Sequence, residues 1–239
     1  MYLYETHCHT YPVSACGKAT VEDTVHFYRQ LGYDGIFITN HFLDGNICHD
    51  IRSSSYKEQI HFYFSDYEKG CLLGLQVGLK VFPGVELSYK GTDFLIYGLD
   101  KEWYLTHPEI LEMTKTEELS LMMQEGALII QAHPYREEFY IDHIRLFPRS
   151  VHGVEIINSS QAEYMNEMAA IYAKRYNLYE TGGSDNHWGS KVFEALKNKG
   201  LKAKIAGMSS DTPLESADDY KKLLLGGKIK PFIIGGDGE

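Results

Sequence analysis

Gly35-Ile36-Phe37-Ile38-Thr39-Asn40-His41 opens on a short apolar run and stops at a histidine. A run of that length beginning at a glycine reads as a strand buried on both faces. Its last residue is a potential metal ligand. The arrangement recurs on either side: residues 3–7 lead into His7 and His9, 80–85 into Glu86, 127–131 into His133, and 179–182 into Asp185 and His187. Further strands are expected at 93–97 and 153–157, with weaker ones near Lys204 and Pro231. Helical segments fall between them, at about 20–31, 55–77, 108–125, 161–176, 190–199 and 214–225. The first opens on Thr20-Val21-Glu22-Asp23, close to a capping box, and Pro108 stands at the N1 position of another. Strands alternating with helices predict an α/β fold with parallel strands and crossover helices. In such a barrel the loops at the C-terminal strand ends converge, so ligands far apart in sequence would meet.

The 239 residues, 44% hydrophobic and 23% charged, suit one folded domain with a sizeable core and exclude a disordered or fibrous chain. No internal repeat or linker marks a boundary, and residues 235–239 read as a frayed tail. The formal charge of −10, without a basic cluster, argues against stable nucleic-acid binding. No apolar run is long enough to cross a membrane. The start, Met1-Tyr2-Leu3-Tyr4-Glu5, lacks the basic and apolar regions of a secretory signal, so a cytoplasmic protein is expected. The four cysteines, Cys8, Cys16, Cys48 and Cys71, form no C-x-x-C pair and are expected to be reduced thiols. The oligomeric state is not legible.

The chemistry is in the histidines and carboxylates. In His7-Cys8-His9 the histidines are two apart on extended backbone and point to one face, so two imidazoles can hold one ion, while Cys8 faces into packing. Asp185-Asn186-His187 repeats the spacing with a carboxylate and an imidazole. His41, Glu86 and His133 each follow an apolar run. Five histidines and two carboxylates in equivalent positions exceed what one tetrahedral ion needs, and Glu86 could bridge two ions. A multinuclear hydrolytic site is expected.

His7-x-His9, Asn40-His41, Pro83-Gly84-Val85-Glu86, Ala132-His133-Pro134 and Gly183-Ser184-Asp185-x-His187, in that order, resemble the polymerase and histidinol phosphatase (PHP) superfamily of metal-dependent phosphoesterases. The resemblance implies a distorted, seven-stranded (β/α)7 TIM-like barrel with two to three divalent ions at its mouth and a small phosphorylated substrate, which agrees with a single domain over 1–239. It implies His7, His9, Glu86 and Asp185 as ligands of the first ion, Glu86 and His133 for the second, and His41 and His187 for the third. The family usually has Asp where this chain has Asn40, and a second-metal histidine where it has Leu95; Asp93 lies two residues upstream on the same strand face. At the spacing of the third ion's remaining ligand stand Ser14 and Ala15, with Cys16 one further on. As a ligand Cys16 would favour zinc or iron over magnesium; as a small buried thiol it would be inert. Zinc is the expected ion, with manganese or iron as alternatives.

Asp185, His187 and His133 are the candidate catalytic residues, the last two as possible donors to the leaving oxygen. Arg136 can clamp a phosphate through its fork of donors, or form a surface ion pair. Glu155, inside a strand, suits a structural hydrogen bond. The other readings are a metal-dependent amidohydrolase, which shares the barrel and H-x-H, and a non-catalytic metal-binding regulatory module, which Asn40 and Leu95 favour.

Overall fold

The computed structural model describes residues 1–235 of the 239. One sheet holds β1 (Tyr2–Cys8), β2 (Gly35–Ile38), β3 (Lys80–Pro83), β9 (Lys204–Ser210) and β10 (Ile229–Gly235), in the order β10-β9-β1-β2-β3. The other holds β4 (Val85–Tyr89), β5 (Thr92–Tyr97), β6 (Leu128–Ala132), β7 (Gly153–Asn158) and β8 (Tyr179–Gly183) in sequence order. Seven helices accompany them among the described residues: α1 (Val21–Gln30), α2 (Tyr56–Val77), α3 (Lys101–Thr106), α4 (Lys115–Gln124), α5 (Glu163–Tyr176), α6 (Val192–Asn198) and α7 (Ala217–Leu225). Gly235 belongs to β10, and the rest of the expected tail, 236–239, lies outside the described residues.

The α/β class is as expected, but the ladders do not close into a seven-stranded parallel barrel. Two local features explain the difference. Gly84 breaks the expected strand 80–85 into β3 and β4, which belong to different sheets. Lys90 and Gly91 then both take positive φ, 51° and 81°, so β4 folds back on β5 as a tight hairpin. β5 is therefore antiparallel to both neighbours, and β9 is antiparallel to β1 and β10. The isolated bridges Cys8↔Asn186 and His41↔Glu86 join the two sheets at one end, where the expected ligands lie. Because β5 runs backwards, it brings its first residues, including Asp93, to that same end.

β2 shows why these short strands need covers on both sides. Phe37 packs between the sheets with Tyr4, Phe82, Tyr97, Met208 and Tyr220, whereas Ile36 and Ile38 pack against Val25, Phe27 and Tyr28 of α1. Cys8 lies in the α1 layer and its thiol donates to the Phe37 carbonyl at 3.3 Å, the packing role expected of it. Four helices begin with reciprocal capping boxes, at Thr20/Asp23, Ser55/Glu58, Thr114/Glu117 and Ser216/Asp219. The third also corrects an expectation. Thr114 starts a new helix, so 108–125 is a 3₁₀ turn at Pro108–Glu112 followed by α4, not one continuous helix. Among the described residues no helix is long and apolar enough to cross a membrane.

β9 crosses β1 closely at Gly207, where a Cβ would stand 2.3 Å from the Tyr4 carbonyl oxygen. Gly207→Ala is expected to cost ~1–3 kcal/mol, read as a lower urea midpoint with an unchanged slope. An unaltered midpoint would show that the two strands separate without cost.

Candidate metal centre

Every histidine and carboxylate expected at the site meets at the bridged end of the sheets. The pairing of β1 with β2 shifts register between Glu5 and Cys8, a bulge of the kind that re-aims side chains beside functional sites. It leaves the His7 and His9 Nε2 atoms 3.3 Å apart. Glu86 stands among four imidazoles. Its Oε1 is 3.1 Å from His7 Nε2 and 3.4 Å from His133 Nε2, and its Oε2 is 3.3 Å from His9 Nε2 and 2.6 Å from His41 Nδ1. Asp185 Oδ1 lies 3.5 Å from His7 Nε2, 3.3 Å from His9 Nε2 and 3.4 Å from His187 Nδ1.

These separations decide whether the donors suit an ion. Bonds of about 2.0–2.2 Å in tetrahedral array put neighbouring donor atoms ~3.3–3.6 Å apart, which is the spacing of most of these pairs. Three overlapping triads could each hold an ion: His7/Glu86/His133, His7/His9/Asp185 and His9/His41/His187. A second observation agrees. His41 Nδ1 and Glu86 Oε2 are buried and close, yet neither has a hydrogen-bond partner of acceptable geometry. Two such atoms left unpaired are costly unless something else completes them.

The backbone is strained at two of these residues. His133 has φ 23° and Asp185 φ 51°, left-handed conformations that cost of order 1–3 kcal/mol in residues other than glycine. Beside Asp185, Gly183 leaves room for β1: a Cβ there would meet His7 Cβ at 2.5 Å and Glu155 Oε1 at 2.7 Å.

Outer groups fix the ring nitrogens. Glu155 Oε1 lies 3.0 Å from His7 Nδ1, while its Oε2 accepts from the His133 backbone N–H and from Asn158 Nδ2. It thus orients one imidazole and holds the segment carrying another. In its neutral form, with the proton on Nδ1, His7 presents a bare Nε2 to the site. His187 Nδ1, 2.9 Å from the Asp185 carbonyl oxygen, is arranged alike. Burial works to raise the carboxyl groups of Glu86 and Asp185. The imidazoles around them outweigh it and hold both well below the usual carboxylate range.

Glu5 has no counterpart in the sequence reading, although an acid inside an apolar strand was a signal. It accepts from the His7 and Ser184 backbone N–H groups and from the Tyr28 hydroxyl. Burial pushes its carboxyl up to about 7 against those bonds.

Cys16 stands beside His187 and His41 but outside the three triads. Burial raises its thiol, and the hydrogen bonds and charge of the two imidazoles bring it down to about 6. Leu95 is packed in the core between the sheets. Asp93 is buried 3.9 Å from His133 Nε2, and Arg136 Nη1 lies 3.4 Å from its carboxylate. Arg136 also bonds Tyr140 and is buried enough to make the plain surface ion pair a poor description.

Two clefts meet at Cys16, Arg136, Asp185 and His187. One, of about 420 Å³, runs past His41, Glu86, Ser88, Asp93 and His133; the other, of about 560 Å³, follows α6 past Met165, Trp188, Val192 and Leu196. A larger cavity of about 760 Å³ lies under α2 and the start of α7 and contains none of the ligands, so size does not identify the site here.

No family model matches the chain, and no curated protein does. Solved structures do. A two-domain protein from Bacteroides vulgatus containing a predicted PHP-like metal-dependent phosphoesterase aligns over 97% of this chain at 16% identity and a TM-score of 0.65. This chain spans 64% of that protein's length. A protein from Bifidobacterium adolescentis, described as a metal-dependent phosphoesterase, aligns over 95% of this chain and 96% of its own at 14% identity and a TM-score of 0.53. An amidohydrolase from Chromobacterium violaceum, with sulfate bound, aligns over 77% of this chain and 87% of its own at 13% identity and a TM-score of 0.50. The chain shares its fold with these solved proteins.

Glu155→Ala leaves the His7 Nδ1–H without its acceptor. Zinc affinity, measured by chelator competition, is expected to fall ~10–100-fold in protein that stays folded. An unchanged affinity would reduce Glu155 to a structural carboxylate.

Proposed function

We propose that this chain, which shares its fold with PHP-like metal-dependent phosphoesterases, hydrolyses a small phosphomonoester as a single catalytic domain binding two to three divalent ions. The observation that carries the reading is the set of three triads joined through His7 and His9, with Glu86 and Asp185 supplying the carboxylates. His7, His9, Glu86 and Asp185 would hold the first ion, Glu86 and His133 the second with Asp93 nearby, and His41 and His187 the third with Cys16 beside them. Imidazoles and a thiol favour zinc over magnesium, with manganese or iron as alternatives. Such ions supply Lewis acidity and lower the pKa of bound water towards about 7.

The remaining work falls to the protein. Arg136, at the junction of the clefts, binds phosphate oxygens through its guanidinium fork, with Asp93 and Tyr140 keeping it in place. The 420 Å³ cleft takes the phosphate and the 560 Å³ cleft its ester group, which lies against Trp188 and Met165. When the third position holds no ion, His187 is the better placed of the two candidate proton donors: its side chain is 20% exposed at the junction, against 2% for His133. Asp185 keeps the ligand imidazoles in register from its left-handed backbone.

Amidohydrolysis is the second reading, favoured by the likeness to the Chromobacterium protein. Glu86 amid four imidazoles and Arg136 at the mouth favour phosphate. In an assay with aryl and alkyl phosphates plus zinc or manganese, turnover is expected, lost with chelator and regained with metal. Asp185→Ala should reduce it about 100-fold or more without unfolding the protein. Metal-replete protein inactive on the phosphate panel but active on amides would transfer the assignment to the second reading.

Arg136→Ala is expected mainly to raise KM, because the guanidinium holds the ground-state phosphate. A fall in kcat at constant KM would instead place its contact in the transition state.

A further inference from the structure

Beneath the imidazole of His9 runs a chain of buried polar groups reaching from the mouth to the middle of α2. Thr10 Oγ1 donates to Asp66 Oδ2 at 2.7 Å. Asn40 Nδ2 donates to Thr10 Oγ1 at 2.9 Å, and Asn40 Oδ1 accepts from the Thr10 backbone N–H at 2.7 Å. Ser14 Oγ donates to the same Asn40 oxygen at 2.8 Å. The Ser14 oxygen then faces the His41 backbone N–H at 3.0 Å and His9 Nδ1 at 3.0 Å. His9, Thr10 and Ser14 are fully buried, and Asn40 and Asp66 nearly so.

The hydrogens on this chain can be counted. A backbone N–H only donates, so Thr10 N fixes which end of the Asn40 amide is the oxygen. That oxygen only accepts, so the one hydroxyl hydrogen of Ser14 must go to it. With its hydrogen committed, Ser14 Oγ can only accept, from His41 N–H and from His9. Nδ1 of His9 therefore carries a proton, so in the neutral ring Nε2, which faces Glu86 and Asp185, is a bare lone pair. Asp66 closes the far end: its carboxylate takes the Thr10 hydrogen, leaving the Thr10 oxygen free for the Asn40 amine. Asparagine fits position 40 better than aspartate for the same reason. Aspartate has no hydrogen to give Thr10 and would set two carboxylates against one hydroxyl.

We infer that Ser14, anchored by Asn40, Thr10 and Asp66, is a positioning residue that fixes His9 in its Nδ1–H tautomer, and so makes Nε2 a ligand before any ion arrives. Ser14 then has its own role where the spacing suggested a ligand. The inference rests on the reading of His9 as a metal ligand, but not on hydrolysis.

The test is nitrogen-15 NMR of histidine-labelled, metal-free protein at pH 8, followed by zinc titration against a competing chelator. Wild-type His9 should show Nδ1–H with an unprotonated Nε2, and Ser14→Ala should show a mixture of tautomers and ~10–100-fold weaker zinc binding. Wild-type His9 protonated at Nε2 would overturn the inference without needing the variant. So would a Ser14→Ala protein with the wild-type tautomer and affinity. The predicted tautomer in a protein with no affinity for zinc would support the relay while refuting the metal reading.

Discussion

The Glu86 carboxylate is 1% exposed and lies between four imidazoles, and most of the molecule's unusual features follow from holding it there. Taking a carboxylate out of water costs several kcal/mol even after relaxation. Asp185, buried beside it, adds a second such cost. Neutral imidazoles repay little of it, and imidazolium ions would each need burial in turn. Divalent ions coordinated by both kinds of ligand compensate the carboxylates without requiring the histidines to be charged, which is why the geometry reads as a metal centre and not as an ion-pair network.

Holding seven donors around one small volume also explains the local departures from regular structure. Each sheet contributes candidate ligands: β1 and the segments after β1 and β2 from one, β4 and the segments after β6 and β8 from the other. The bridges Cys8↔Asn186 and His41↔Glu86 fix the two sets relative to each other. The bulge in β1 and the left-handed residues His133 and Asp185 are the sites where regular backbone gives way to that requirement. Glu5 and Glu155 then secure the strained segments, since both accept backbone N–H groups of ligand residues or of their neighbours.

The gathering of these histidines and carboxylates at one end of the fold was the most legible feature of the sequence, because an apolar run ending in His, Asp or Glu is an unusual way to finish a buried strand. The turn of direction at Lys90-Gly91 was not legible: two positive φ angles there look in sequence like any short polar loop, and so β5 was read as one more parallel strand. The break at Gly84 did have a local signal, since Pro83-Gly84 is a turn dipeptide inside the expected strand. Asp66 lies in a helix rich in polar residues, and its inward direction depends on how α2 is rotated against β3, a tertiary fact without a local signal. Ser14 was noticed for its spacing from His7, but its bond to His9 depends on the loop between Thr10 and Gly17 folding back on Asn40.

The central claim is that the buried carboxylates are completed by metal. It is tested most directly by anomalous diffraction from crystals of zinc-loaded protein, collected on both sides of the zinc edge. The account predicts at least two peaks per chain, one within about 2.0–2.2 Å of a Glu86 oxygen and another bonded by His41 or His187. No peak within bonding distance of Glu86, with its carboxylate instead hydrogen-bonded to protonated imidazoles, would contradict it.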